Sequence, residues 1–537
     1  MSSSVDLPAV GVRVNHAGSI GTVKYVGEVD GTKGTWLGVE WDDPNRGKHD
    51  GVKDGKRYFS CSIPGAGSFI RPLPSLDYGR SFLRALVEKY VEMPHGTTAQ
   101  EMIVLGSSNG SIQVEAVNLN KIRGNLARLD RLREVSLDTE GVSSADEPGQ
   151  IREKCTSVRG VDLSFSLVPT WDTIALIAIE LPMLERLALN NNRLRPFTNP
   201  SVAARAFQHL TELQLNANNI TWQGMLDVVS LIPTLKHIEM GYNHLTTLSV
   251  TAGSSGDVFS SALETINLDS NSLSNWSDIC FALKGFNRLS RLIVSANPIT
   301  TITPMTPLQE PAHIRHLALS HTRISAWSSI DALSVWCPRL ETLSLTGTPL
   351  VEDPETGRAW RQIAIARVPS LRVLDGASIS QRQRNDAELF YLSHVSRLEF
   401  ASDDARLAAH PQWAALCERH GAPDTSHAKA TKDDKLSDRL IQIKATLSSI
   451  SPPPESPTAL PPSVAVRVLP TASLRLLRLK LLKVFKAPRG ASAAIWVRMA
   501  DGKLAAIGEP GGDDGRELDW WLEEGCEIVV HVKESQP

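Results

Sequence analysis

Between Trp36 and Pro72 the chain gathers glycine, aromatic and basic residues in an order that suits binding. Trp36-Leu-Gly-Val-Glu-Trp41 leads into the loop Gly47-Lys48-His49-Asp50-Gly51, then into Arg57-Tyr-Phe59 and Ser68-Phe69-Ile-Arg71-Pro72. Glycines so placed let a backbone bend around a pocket, and aromatic rings beside cations line a pocket that holds a ligand rather than transforming it.

Catalytic arrangements are missing by comparison. A phosphate-binding loop needs Gly-Lys followed by Ser or Thr, but the Gly-Lys pairs continue as Gly47-Lys48-His49, Gly55-Lys56-Arg57 and Gly502-Lys503-Leu504. Neither G-x-S-x-G nor H-E-x-x-H occurs. Six cysteines, Cys61, Cys155, Cys280, Cys337, Cys417 and Cys526, lie far apart without a C-x-x-C pair, so neither a metal site nor a disulfide framework is expected. The reading is of a non-enzyme that carries no cofactor.

The formal net charge of -3 offers no basic field for nucleic acid, and no stretch approaches the roughly 20 apolar residues of a membrane span. The amino terminus lacks a basic segment leading into an apolar run. A soluble intracellular protein is expected, without nucleic-acid or membrane partners.

Such a pocket needs a scaffold, and 537 residues allow about three or four domains. Residues 8–80 read as short strands punctuated by glycine, with Leu37, Val39 and Trp41 alternating against Trp36, Gly38 and Glu40, which predicts a small all-β barrel or sandwich. Residues 81–110 read as a connecting helix, with Phe82, Leu83, Leu86, Val87 and Tyr90 at helical spacing, followed by a linker.

Residues 111–400 repeat. The pattern L-x-x-L-x-L-x-x-N-x-L runs through Leu184 to Leu194 and recurs 26 residues later from Leu210 to Ile220. Further copies start at Leu235, Leu263 and Leu289, two with threonine at the asparagine position start at Ile314 and Leu340, and degenerate copies start at Leu132 and Val158. This is an α/β leucine-rich-repeat solenoid in which leucines turn inward and the asparagine satisfies backbone groups where the chain leaves each strand. Leu371 to Ile379, with Arg382 and Arg384, read as the carboxyl-side cap.

Outward strand positions form the concave face: Glu134, Ser136, Asp138, Arg186, Asn190, Glu212, Gln214, Asn216, His237, Glu239, Thr265, Asn267, Asp269 and Arg291. That polar row fits either a protein partner or an ordinary solvated surface.

Residues 401–436 read as a linker, and residues 437–537 as an α+β domain. Alternation at Ile441 to Leu447 and Val464 to Val468 predicts a hairpin around a proline-rich connection. A helix after Ser473 aligns Leu474, Leu477, Leu481 and Val484 on one face, and strands follow at Ile495 to Met499 and Ile528 to Val532. Strand, strand, helix, strand, a turn at Leu518 and Trp521, then a last strand is the order of a ubiquitin-like β-grasp.

The amino-terminal region resembles a CAP-Gly domain, through Gly11-Val-Arg-Val, Gly21-Thr-Val-Lys-Tyr-Val-Gly27, Trp36-Leu-Gly-Val-Glu40, Gly47-Lys-His-Asp-Gly51, Arg57-Tyr-Phe59 and Phe69-Ile-Arg-Pro72. The resemblance implies binding of acidic, aromatic-ended carboxyl tails such as that of α-tubulin. It places Gly47, Lys48, His49, Asp50 and Gly51 in the signature loop, Trp36 and Phe69 among the groove aromatics, and Arg71 as a basic groove residue. Phe59 and Trp41 suit either groove or core. Two positions depart from the usual pattern: His49 stands where asparagine is common, and Gly31 where many members carry an aromatic.

A CAP-Gly domain, leucine-rich repeats and a ubiquitin-like domain in this order resemble the tubulin-folding cofactor E family. Membership implies a non-catalytic chaperone of the cytoplasm and cytoskeleton that binds α-tubulin and acts with cofactors B, C and D in assembling or dismantling the αβ-tubulin heterodimer. The terminal domain then suits contact with cofactor B or the proteasome. The alternatives are a microtubule-binding scaffold without a folding role, or a ubiquitin-pathway adaptor for tubulin turnover.

Overall fold

The computed structural model describes residues 7–92, 104–105, 112–113, 128–249, 262–306, 312–354, 357–423, 440–454, 461–488, 490–499, 502–508 and 517–533. It divides into two units, Met1–Pro423 and Asp424–Pro537. No helix among the described residues is long and apolar enough to cross a membrane.

The amino-terminal module is built on strands β1 (Arg13–His16), β2 (Ser19–Glu28), β3 (Thr35–Trp41) and β6 (Gly67–Ile70), which form an antiparallel sheet in the order β1-β2-β3-β6. A short hairpin of β4 (Val52–Lys53) and β5 (Lys56–Arg57) interrupts it. The alternation along β3 decides which side is core: Leu37, Val39 and Trp41 pack with Val14, Val23 and Leu76. Trp36, Gly38 and Glu40 therefore face the other way. Trp41 is thus a core residue, and the Arg46 guanidinium covers its ring at 4.0 Å.

The repeats form an eleven-stranded sheet from Glu134–Ser136 to Ala377–Ser378, parallel throughout except for its last pair. Each full-length strand buries its central residue, including Leu187, Leu213, Ile238, Ile266 and Leu292. Buried asparagines tie one repeat to the next. Asn243 Nδ2 donates to the carbonyls of Leu215, Met240 and Gly241, while its Oδ1 accepts from the N–H groups of Asn218 and Ile220. Asn192, Asn271 and Asn297 make the same donor contacts in their own repeats. The residue before each asparagine takes a left-handed conformation, at Asn191, Ala217, Tyr242, Ser270 and Ala296, with φ between 52° and 58°. That local turn aims the asparagine inward.

Helices Trp171–Ala178, Trp222–Ser230 and Trp276–Leu283 each open on a buried tryptophan, behind Thr170, Thr221 and Asn275 caps that accept a first-turn N–H.

The helix expected after residue 81 forms and packs into the array, and part of the stretch 401–436, expected to be a linker, is folded. Strand β7 (Arg80–Ser81) pairs in parallel with Val142–Ser144, and helix α1 (Phe82–Val87) buries Phe82, Leu83, Ala85 and Leu86 in the repeat core, so the start of 81–110 closes the amino end of the array. Residues 93–110, apart from 104–105, lie outside the described residues.

Residues 401–423 belong to the array as well: helices Asp403–Ala409 and Trp413–His420 pack beside the capping helix Gln381–Ser396. Their polar surface concealed buried partners. Glu388, 1% exposed, accepts from Arg419 Nη1 at 2.9 and 3.0 Å and contacts His420 Nε2 at 2.7 Å. Arg367, also buried, pairs with Asp331 and reaches His410 Nδ1 at 3.0 Å. Most of the stretch from 421 to 436 lies outside the described residues.

The second unit holds a five-stranded sheet in the order Val464–Val468, Ile441–Ser448, Glu527–Lys533, Ser492–Arg498, Leu504–Ile507. Its first and last chain segments run parallel at the centre. The short strand Leu504–Ile507 was not expected, because Ala505 and Ala506 give it no alternating signal. Helix Leu474–Val484 buries Leu474, Leu477 and Leu481, but Val484 at its end is exposed. Arg478 on the same helix is buried and donates to the carbonyls of Ala493 and Gly508 at 2.8 Å.

Candidate functional site

Strand register creates the groove. Tyr25 on β2, Gly38 on β3 and Phe69 on β6 are direct cross-strand partners, so all three lie on the face opposite the core. Gly38 contributes no side chain, and Phe59 fills the gap: a Cβ built on Gly38 would stand 2.4 Å from the Phe59 ring. Phe59 is buried and forms the floor, with its ring centroid 5.4 Å from that of Phe69 and 6.0 Å from that of His49.

Half-buried rings stand around this floor. Phe69 meets Tyr58 edge-on at 5.5 Å, Trp36 at 6.5 Å and His49 at 5.0 Å, and Tyr25 meets Tyr58 at 5.4 Å. Their polar ends are spent on the surrounding loops, which leaves the ring surfaces to line the groove. Tyr25 O–H donates to Glu28 O at 2.6 Å, Trp36 Nε1–H to Thr32 Oγ1 at 2.7 Å, and the Asp30 N–H donates to Tyr58 Oη at 2.9 Å.

The signature loop is held by backbone bonds. The N–H groups of Lys48 and His49 both donate to Gly67 O, Gly67 N–H returns a bond to His49 O at 2.8 Å, and Tyr58 N–H donates to Gly51 O at 2.9 Å. Gly51 has φ +77°, and a Cβ there would lie 2.1 Å from Phe59 O, so no other residue fits. Its N–H donates to His49 Nδ1 at 3.0 Å, which leaves the imidazole proton on Nε2. Burial pulls the His49 pKa below its ordinary value and so favours the neutral ring, against an opposing contribution from Asp50.

The structure gives the predicted site residues different jobs. Trp36, His49 and Phe69 converge on one groove, and Arg71 lies with its guanidinium 3.8 Å above the Trp36 ring while donating to Thr35 O. Lys48 projects from the loop, exposed and without an ion pair among the described residues. Asp50 turns away: Arg57 and the Cys61 N–H bond its carboxylate, and the Arg57 hydrogen bond holds its pKa down. Asp50 therefore braces the loop. Gly47 packs against Gly65 and Ala66 with no room for a side chain.

Tyr25, Gly38 and Tyr58 complete the groove without having been singled out from the sequence. The signal was their alternation relative to the core residues, but a register shift between Val23 and Tyr25 breaks it in β2. Gly31 sits at an exposed turn with nothing within 4 Å of where a side chain would begin.

On the concave face of the repeats, several expected contact residues bond to one another. Asn190 Nδ2 donates to Gln214 Oε1 and Asn216 Nδ2 to Glu239 Oε2, both at 3.0 Å. Asn267 accepts from the Asp269 N–H, and Arg186 pairs with Glu134. Glu212, His237, Thr265 and Arg291 make no side-chain hydrogen bond or salt bridge among the described residues, so they are open positions of the row, with Glu212 in the electrostatic field of Arg186. No group of three or more potential metal ligands occurs among the described residues.

A family model described as the CAP-Gly domain matches residues 10–74. Over most of its length the chain is also similar to curated proteins. It is 30% identical over 516 residues to tubulin-specific chaperone E of Bos taurus, covering 91% of this chain and 94% of the relative. It is 31% identical over 497 residues to tubulin-specific chaperone E of Xenopus laevis, covering 89% and 92%. It is 29% identical over 489 residues to tubulin-folding cofactor E of Arabidopsis thaliana, covering 88% and 90%.

Proposed function

This chain belongs to the tubulin-specific chaperone E family, and on that premise we propose that it is a tubulin-folding chaperone that captures the carboxyl tail of α-tubulin in the CAP-Gly groove. The observation that carries this reading is the aromatic box over Phe59, bordered by the exposed Lys48 and by Arg71. A tail rich in acid with an aromatic end finds there a slot for its ring and cationic and backbone donors for its carboxylate.

The concave face holds the folded body of α-tubulin, with Glu212, His237, Thr265 and Arg291 as available contacts. Cofactors B, C and D act with the protein in assembling or dissociating the heterodimer, in the cytoplasm and at the cytoskeleton. We read the second unit as a ubiquitin-like β-grasp, on the support of its strand order and single covering helix, and assign it contact with cofactor B or the proteasome.

Titration of the full chain with a synthetic acidic peptide ending in a free aromatic residue tests tail capture. Binding should be lost when the peptide end is amidated, and equal binding of both forms overturns the assignment. Incubation with tubulin heterodimer followed by sizing tests the chaperone role: a complex with α-tubulin alone supports it, and decoration of intact microtubules without such a complex refutes it.

A further inference from the structure

The connection from the CAP-Gly module to the repeats contains no spare residue. Leu76 is part of the module's core, Asp77 exchanges backbone bonds with Asn15 at 2.8 and 3.0 Å, and Tyr78 packs against the same core. The next residues already belong to the array. Arg80 N–H donates to Gly141 O at 3.0 Å, Leu83 N–H donates to Asp146 Oδ2 at 2.8 Å, and Phe82 is fully buried among the repeat leucines. Lys89 continues the attachment with ion pairs to Asp138 and Glu140 at 3.5 and 3.2 Å.

Close approach at this junction depends on glycine. Gly79 and Gly141 both have positive φ, +84° and +64°, and a Cβ on Gly79 would stand 2.4 Å from Gly141 O. A second attachment lies elsewhere on the module. The Arg195 guanidinium reaches within 2.6 Å of the position a Cβ on Gly11 would take. Arg193, half-buried, lies in the electrostatic field of Asp42, Arg13 and Glu40 of the module. One attachment alone would leave a hinge, but two separated ones remove it.

We infer that the CAP-Gly module and the repeat array act as one rigid bivalent receptor, whose partner is a single protein presenting an acidic tail and a folded surface together. This rests on the tail-capture reading above. When two sites are held on one body, the second contact forms at high effective concentration, so the pair binds far more tightly than the groove binds a free tail. A module on a slack tether would spread its groove over many positions and dilute that gain.

The test uses the full chain carrying paired spin labels at Lys33 on the module and Ser230 on the array. Wild type should give one narrow distance distribution without any partner. Gly79→Val should broaden it, leave the affinity for the free tail peptide unchanged, and weaken binding to intact α-tubulin at least about tenfold. Should Gly79→Val fail to fold, Arg195→Glu loosens the second attachment and is read in the same way. A broad wild-type distribution overturns the inference, as does a broadened variant that binds intact α-tubulin as wild type does. A wild type that shows the narrow distance but binds neither peptide nor α-tubulin overturns the tail-capture reading instead, and bivalent use falls with it.

Discussion

Phe59 occupies the space above Gly38: a side chain at Gly38 would begin 2.4 Å from the Phe59 ring and 2.9 Å from Cβ of Tyr25. The missing side chain on one strand is therefore what admits the floor of the groove, and the rings of Tyr25, Tyr58 and Phe69 take their positions from it.

Gly38→Ala should accordingly close the groove from below. Overpacking of this kind costs about 1–3 kcal/mol, and displacement of Phe59 should weaken binding of an aromatic-ended tail peptide by roughly tenfold or more, since 1.4 kcal/mol is about a tenfold change. Chemical denaturation and calorimetric titration of the same variant check both values. Unaltered peptide affinity would show that Phe59 is not the floor.

His49 acts first as an acceptor for the Gly51 N–H. Removing it in His49→Ala should cost about 1 kcal/mol of loop stability, the usual net value of one hydrogen bond, and weaken the tail peptide by about fivefold. His49→Asn restores an acceptor oxygen and should recover most of the affinity. Because burial lowers the His49 pKa and favours the neutral ring, any change in affinity should come on acidification rather than between pH 7 and 8.

Asn243 serves three carbonyls and two N–H groups of neighbouring turns. Asn243→Ala leaves the Leu215 carbonyl and the Asn218 and Ile220 N–H groups without that partner, while Met240 O keeps Asn271 Nδ2 and Gly241 O keeps the Ala217 N–H. At roughly 1–3 kcal/mol for each group that water cannot reach, the array should lose at least about 3 kcal/mol. Denaturant unfolding measures it. The loss should exceed that of Thr348→Ala, whose hydroxyl serves the Leu345 carbonyl alone among the described residues.

Stability should fall on mild acidification because of His410. Its Nδ1 accepts from Arg367, which can only donate, and therefore also from the Tyr391 hydroxyl at 2.7 Å. Burial, and then the Arg367, His394 and Arg406 charges, push the His410 pKa down to about 4 from 6.5. The unfolded chain takes up its proton first, so this contribution is complete above pH 6.5 and is lost as pH falls toward 4. At about 1.36 kcal/mol per pH unit the loss reaches roughly 3 kcal/mol. Unfolding midpoints at pH 7.5 and 5 should differ in wild type and converge in His410→Gln.

Composition and spacing alone were enough for the repeats, because a strand's burial pattern is written in residues a few positions apart and each copy restates it. The same holds for the Gly47-to-Gly51 loop and for the core face of β3. Long-range partnerships had no local signature. Asp50 reads as a site residue until Arg57 and Cys61 are seen to claim it, and residues 403–420 read as a solvated linker until Glu388 is found beneath Arg419 and His420.

What the amino-acid sequence by itself determined was the inventory: a glycine-shaped aromatic pocket, a stack of leucine-rich turns, and a final α+β unit. Tertiary structure alone decided which rings meet, that Gly38 makes room for Phe59, and that Gly79 against Gly141 joins the pocket to the array without slack. The physical reason is distance along the chain. Periodicity reports which side of a strand or helix is buried, whereas the partner of a buried charge, or the residue facing a missing side chain, lies tens of positions away and is fixed only when the chain has packed.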